Sequence, residues 1–71
     1  MSKKIESIIL QLRKARQRIA NELSGAQSYY DNRTDEWKES DKADEWDEKI
    51  ECLSEAEQYV GEAIEMLEEI L

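Results

Sequence analysis

The 71-residue sequence has no histidine, no proline and no phenylalanine, only one cysteine and only two glycines. Each shortage argues against a class of protein. Without histidine, no side chain has an ordinary pKa suited to proton transfer at neutral pH, and Cys52 has no imidazole to activate it. Neither zinc's usual His/Cys geometry nor a Glu-x-x-His di-iron arrangement can be assembled. A lone cysteine closes no internal disulfide, which points to a reducing cytosol. With Gly25 and Gly61 as the only breakers, a fold of many tight turns is disfavoured. No apolar run nears the ~18–20 residues of a membrane span; the longest of note is Ile8-Ile9-Leu10. Met1-Ser2-Lys3-Lys4 lacks a signal peptide's apolar core.

What remains is charge and amphipathic periodicity. Charged and hydrophobic residues each make up 39%, and the net charge is −8. Residues 1–34 carry seven basic and three acidic side chains, residues 35–71 three basic and fifteen acidic. A hairpin that folds these halves together is electrostatically self-complementary. As a whole, such a chain repels nucleic-acid phosphate and anionic membrane and attracts basic partners.

At 100° per residue, Ile5, Ile8, Ile9, Leu12, Ala15, Ile19, Ala20, Leu23, Ala26 and Tyr30 fall on one face of a first helix. Ser2 is the expected N-cap. Trp46, Ile50, Leu53, Ala56, Val60, Ala63, Ile64, Leu67, Ile70 and Leu71 form the stripe of a second, opposite Glu51, Glu55, Glu62, Glu65 and Glu69. The joint is marked by a near-repeat, Asp35-Glu36-Trp37-Lys38-Glu39 and Asp44-Glu45-Trp46-Asp47-Glu48. Nine residues are two and a half turns, so one straight helix would point Trp37 and Trp46 in opposite directions. Continued from the first helix, Trp37 falls on the Leu12–Ile19–Tyr30 stripe. The expectation is therefore helix 1 over about 3–38, a turn at about 39–42 capped by Ser40 or Asp41, and helix 2 over about 43–70. The competing choice makes Thr34 the N-cap, with Asp35 and Glu36 in the first turn.

The fold class that follows is all-α: a single antiparallel helical hairpin spanning 1–71. A lone pair of such helices leaves part of each stripe wet, so the hairpin is expected to self-associate, most simply as a dimer forming a four-helix bundle. Ile5, Ile8, Leu12, Ile19, Leu23, Ile50, Leu53, Val60, Ile64 and Leu67 would carry that association; completion by a different protein is the alternative. Arg16 and Glu57 interrupt the two stripes, either as a register-fixing pair or with Arg16 snorkelling to water.

No catalytic constellation is present, and the expectation is a non-enzyme with no cofactor. Serines 7, 24, 28, 40 and 54 have neither a Gly-rich elbow nor an adjacent base. The carboxylates belong to a solvated face, where acid–base catalysis finds no use for them. Asp31 to Glu36 fails as a calcium loop because Arg33 takes a ligand position and no glycine follows. Either Lys3, Lys4, Arg13, Lys14, Arg16 and Arg18 meet the glutamates of helix 2 or, as the rival reading, an oligomer presents Arg13 and Arg16 with Tyr or Trp rings as a pocket for an anionic nucleotide. Asp44, Glu48, Glu51, Glu55, Glu62, Glu65 and Glu69 space carboxylates every ~5–6 Å, close to nucleic-acid phosphate spacing, and can fill a basic groove as a decoy. An ordinary soluble helix face is the plainer account of them.

The tract from Tyr29 to Trp46 resembles one in small helical proteins encoded by bacteriophages and prophages: an aromatic-acid-x-Arg-Ser/Thr-acid-x-Trp-x-Glu-Ser-acid-Lys string ahead of an acidic C-terminal helix. That resemblance covers about eighteen residues and carries over no catalytic or binding residue. It implies a phage accessory role in a bacterial cytoplasm, in which a host component, defence machinery included, is inhibited or titrated by stoichiometric binding. The surface expected to bind such a host protein joins Tyr29, Tyr30, Arg33, Trp37, Lys38 and Trp46 at the hairpin tip to Glu48, Glu51, Glu55 and Glu62. The alternative reading is that the tip rings simply close the end of the bundle. A purely structural assembly element is the third reading.

Overall fold

A computed structural model describes residues 2–71 as three helices, α1 (Ser2–Asp31), α2 (Asp35–Lys38) and α3 (Asp41–Glu68). No strand occurs among the described residues. The two long helices run antiparallel as a rod with Cα extents of 56 × 14 × 12 Å. Among the described residues, no helix is long and apolar enough to cross a membrane.

The seam between α1 and α3 repeats every seven residues. Ile5, Leu12, Ile19 and Ala26 alternate with Ile9, Arg16, Leu23 and Tyr30; all but Arg16 are buried or half-buried. On α3, Trp46, Leu53, Val60 and Leu67 alternate with Ala43, Ile50, Glu57 and Ile64, none of them exposed; Leu71, past the end of the helix, is exposed. A seven-residue apolar repeat keeps one seam facing its partner along the length of both helices. Burial is nonetheless thin. Among the described residues, Ile9, Ala26, Ala43 and Ile64 are the buried apolar side chains, joined by Gly61.

The expected boundaries of the first helix need correction at both ends. Ser2 is the first helical residue rather than the N-cap. At the other end α1 stops at Asp31, seven residues before 38, and the segment expected to prolong it is a separate turn of helix. The cause is local hydrogen bonding. The Arg33 amide donates to the Tyr30 carbonyl in a tightened last turn, and Thr34 goes extended (φ −70°, ψ 161°). Its hydroxyl accepts from the Trp37 amide at 3.2 Å, with Asp35 and Glu36 favourably placed in the first turn of α2.

A second break follows at Ser40 (φ −87°, ψ 166°), which starts α3 at Asp41. Ser40 holds the N-cap position but does not cap through its side chain: its hydroxyl donates to the Trp37 carbonyl. Both competing cap sites are thus used, and four residues of helix stand between them. Replacing Thr34 with alanine should destabilise the chain by about 1 kcal/mol, the usual worth of an N-cap, read as a shift of the urea midpoint at constant slope.

Candidate protein-binding surface and tip

The two breaks fold Trp37 back instead of carrying it along α1. Tyr29 becomes the hub of the tip. Its ring stacks on Trp46 (centroids 4.3 Å apart, planes at 15°) and meets Trp37 edge-on at 5.9 Å, 73°. Tyr30 meets Trp37 from another side, edge-on at 5.7 Å. With Trp46 covering one face of Tyr29, the Arg33 guanidinium lies over the other, 4.1 Å from the ring centre. Lys38 stands 5.7 Å from the Tyr30 ring. Thus Tyr29, Tyr30, Arg33, Trp37, Lys38 and Trp46, named from sequence as one binding surface, come together at one end of the rod.

One member escaped the sequence reading. Lys49 lies 4.5 Å from the Trp46 ring centre. The signal was available, because residues three apart on a helix are neighbours. Each cation stands over an electron-rich ring face, an interaction worth about 0.5–1 kcal/mol at exposed sites.

The carboxylates expected to bind a partner form a different arrangement. Glu48, Glu51, Glu55 and Glu62 are all exposed on α3 with Asp44 and Glu65, and Glu69, its C-cap, is exposed too. Among the described residues, two ion pairs cross between the long helices, Arg13–Glu68 at 2.6 Å and Arg16–Glu57 at 3.9 Å. Neither uses a carboxylate of that outer face. Among the described residues no group of three or more His, Cys, Asp or Glu side chains is placed to hold a metal ion.

Arg16 and Glu57 do meet, but their side chains are 47% and 30% exposed, so this is a half-wet contact rather than a buried pair. At that exposure it is worth little to stability. The arginine is supported from beneath by something the sequence reading passed over. Gly61 is buried, and a Cβ built on it would sit 2.9 Å from the Arg16 guanidinium carbon. The guanidinium therefore rests directly on the α3 backbone. This depends on how closely the helices approach, which no spacing rule encodes.

The two glycines make a controlled comparison. Nothing lies within 4 Å of a Cβ added at Gly25. Gly25→Ala should therefore stabilise the hairpin by the full helix-propensity difference, about 1 kcal/mol. Gly61→Ala must displace the Arg16 head group, the far end of a flexible side chain, and should stabilise by less. Thermal melts of the two variants at equal concentration check the order.

Arg13 and Arg16 also share a groove on this side of the hairpin, as the nucleotide reading requires. Glu57, Glu65 and Glu68 line the same groove. Three carboxylates against two guanidiniums leave it net negative. The chain matches no protein-family model, no curated protein and no solved structure.

Proposed function

We propose that this chain is a non-enzymatic binding protein that self-associates and occupies a basic partner, of the kind built to grip nucleic acid, through its acidic helix and aromatic tip. The observation that carries the reading is the state of the α3 carboxylates. Asp44, Glu48, Glu51, Glu55, Glu62, Glu65 and Glu69 stand exposed and outside both inter-helix ion pairs, while the cations of α1 nearest to α3 are spent on Glu57 and Glu68. A helix that presents unpaired charge of one sign along its length raises the encounter rate with a surface of the other sign. The tip adds large, preorganised rings of the type that anchors interfaces.

Self-association draws support from the apolar side chains the hairpin leaves wet: Ile8, Tyr59, Met66 and Ile70 are 46–68% exposed. The rival role as a nucleotide sponge loses ground to the carboxylates of the arginine groove, which repel an anion. A phage accessory role acting on a host component remains the biological setting in which stoichiometric occupancy makes sense of so small a chain.

The test is retention of a bacterial basic protein on the immobilised chain at low and at high salt, beside a Glu48/Glu51/Glu55/Glu62→Gln variant. Wild type should hold it in stoichiometric amount, with loss at high salt and in the variant, because exposed charges are screened within about 10 Å at 0.1 M salt. Equal retention by the variant would overturn the reading.

A further inference from the structure

We infer that Arg16 is an internal placeholder: its guanidinium fills a seat that takes an arginine side chain of the basic partner, and leaves it when that partner docks. This rests on the occupancy reading above and deepens it by naming the side chain recognised.

The seat is built on Gly61. A Cβ added there would lie 2.9 Å from both Cζ and Nη2 of Arg16 and 3.1 Å from Nη1. Near-equal distances to three atoms of one plane mean that the guanidinium lies flat on the α3 backbone. Gly61 is buried beneath it. A side chain at position 61 would hold that plane off.

Little else holds Arg16 in place. Its ion-pair partner among the described residues is Glu57, at 3.9 Å, which is beyond hydrogen-bond reach. Arg13, with the same head group, closes to 2.6 Å on Glu68. Arg16 thus has a platform fitted to a guanidinium but lacks the short carboxylate bonds that fix one. It is also half-exposed, so swinging it into water on its flexible stem costs little.

Carboxylates for an incoming arginine are already in position. Two open grooves, of about 430 and 440 Å³, meet at Arg16 and share Glu57, Gly61 and Glu65; Glu62 borders the second. Among the described residues Glu65 joins no ion pair, and Glu62 accepts one long bond, from Gln58 at 3.4 Å. An arginine laid on Gly61 in place of Arg16 keeps the flat contact and gains acceptors for its N–H edges from Glu57, Glu62 and Glu65. A lysine cannot do the same, because an ammonium has no flat face and is more strongly hydrated. The exposed carboxylates of α3 therefore attract a basic partner at a distance, and the seat selects an arginine from it at contact.

Fluorescence anisotropy of labelled hexa-arginine and hexalysine peptides, titrated at low salt, tests the seat. The proteins are the wild type, Arg16→Ala, Arg13→Ala and the Arg16→Ala/Gly61→Ala combination. Arg16→Ala should bind hexa-arginine about tenfold more tightly than the wild type and change hexalysine binding by less than about threefold. Arg13→Ala removes the same charge without emptying the seat, so it should move both peptides alike. Adding Gly61→Ala to Arg16→Ala puts a methyl group where the guanidinium would lie, and should return hexa-arginine to within about threefold of its wild-type affinity. Alanine is the strongest helix former, so these variants should keep their fold, as melting curves would show.

Equal gains for the two peptides in Arg16→Ala, or an arginine preference that survives Gly61→Ala, would overturn the placeholder. If both peptides bind by charge alone and are lost in Glu48/Glu51/Glu55/Glu62→Gln, the occupancy reading stands and the seat falls. Absence of binding of either peptide to every protein at low salt sinks both.

Discussion

Ile9→Ala should lower the melting temperature by about 10–30 °C, while Leu10→Ala, one residue along, should move it by less than about 4 °C. The two side chains belong to the same apolar run, yet Ile9 is 4% exposed in the seam and Leu10 is 54% exposed on the outer surface. Truncating a buried isoleucine to alanine costs about 2–5 kcal/mol in lost transfer energy and cavity. A chain of this size draws no more than about 3–5 kcal/mol from its core. Among the described residues Ile9 and Ile64 are the only large buried apolar side chains, so there is little else to fall back on. Leucine 10 loses some surface contact to alanine, which is the better helix former. Its other neighbour gives a third outcome. Ile8→Ala should leave the fold nearly as stable at a concentration where the chain is monomeric and weaken the proposed dimer, because Ile8 is 46% exposed on the hairpin and lies off the seam. Melting curves at two protein concentrations separate the three variants. Equal loss at all three positions would mean that the seam does not run through Ile9.

The same run shows what the sequence discloses and what it withholds. Amphipathic stripes named both long helices, because a 3.6-residue period is a property of the chain itself. Which residue of the stripe is buried depends on the narrower seven-residue seam, and Ile8 and Ile9 are equally eligible until the partner helix is placed. The joint failed for a different reason. Thr34 and Ser40 both read as cap sites and as rivals for a single turn, and Trp37 falls by coincidence on the continued stripe of α1. In the structure both breaks occur: Thr34 caps α2 through local hydrogen bonding, and the fold-back that results brings Trp37 edge-on to Tyr29 and Tyr30. Those ring contacts depend on both breaks together and have no signature in spacing. The Arg16–Glu57 meeting was visible as two charges interrupting opposite stripes, both at seam positions. Its support by Gly61 was not, since it follows from inter-helix distance. At the tip, the aromatic and basic residues were singled out by composition alone; their arrangement around Tyr29 required the fold.

Tyr29→Ala should therefore have a large effect confined to one end of the molecule. Its ring is shared: Trp46 on one face, Arg33 on the other, Trp37 at the edge. Truncating a large aromatic in a packed site costs about 3–5 kcal/mol, and Tyr29 is 40% exposed, which brings the expected loss to roughly 2–3 kcal/mol. Tyr29→Phe keeps the stack, and among the described residues the Tyr29 hydroxyl makes no hydrogen bond, so that change should cost less than about 0.5 kcal/mol. The two variants separate ring from hydroxyl. The location of the loss is the sharper test. Amide exchange at Glu39 and Ser40, whose N–H groups bond back to Asp35, Glu36 and Trp37 carbonyls, should accelerate about tenfold or more beyond any global change as α2 opens. Amides on either side of Ile9 and Ile64 should keep protection at the level set by global unfolding. Emission from both tryptophans should shift to the red together, because one ring contacts both. If α2 keeps its protection in Tyr29→Ala, the short helix is held by the Thr34 cap rather than by the rings, and the tip is a surface on which aromatics rest instead of a structure they build.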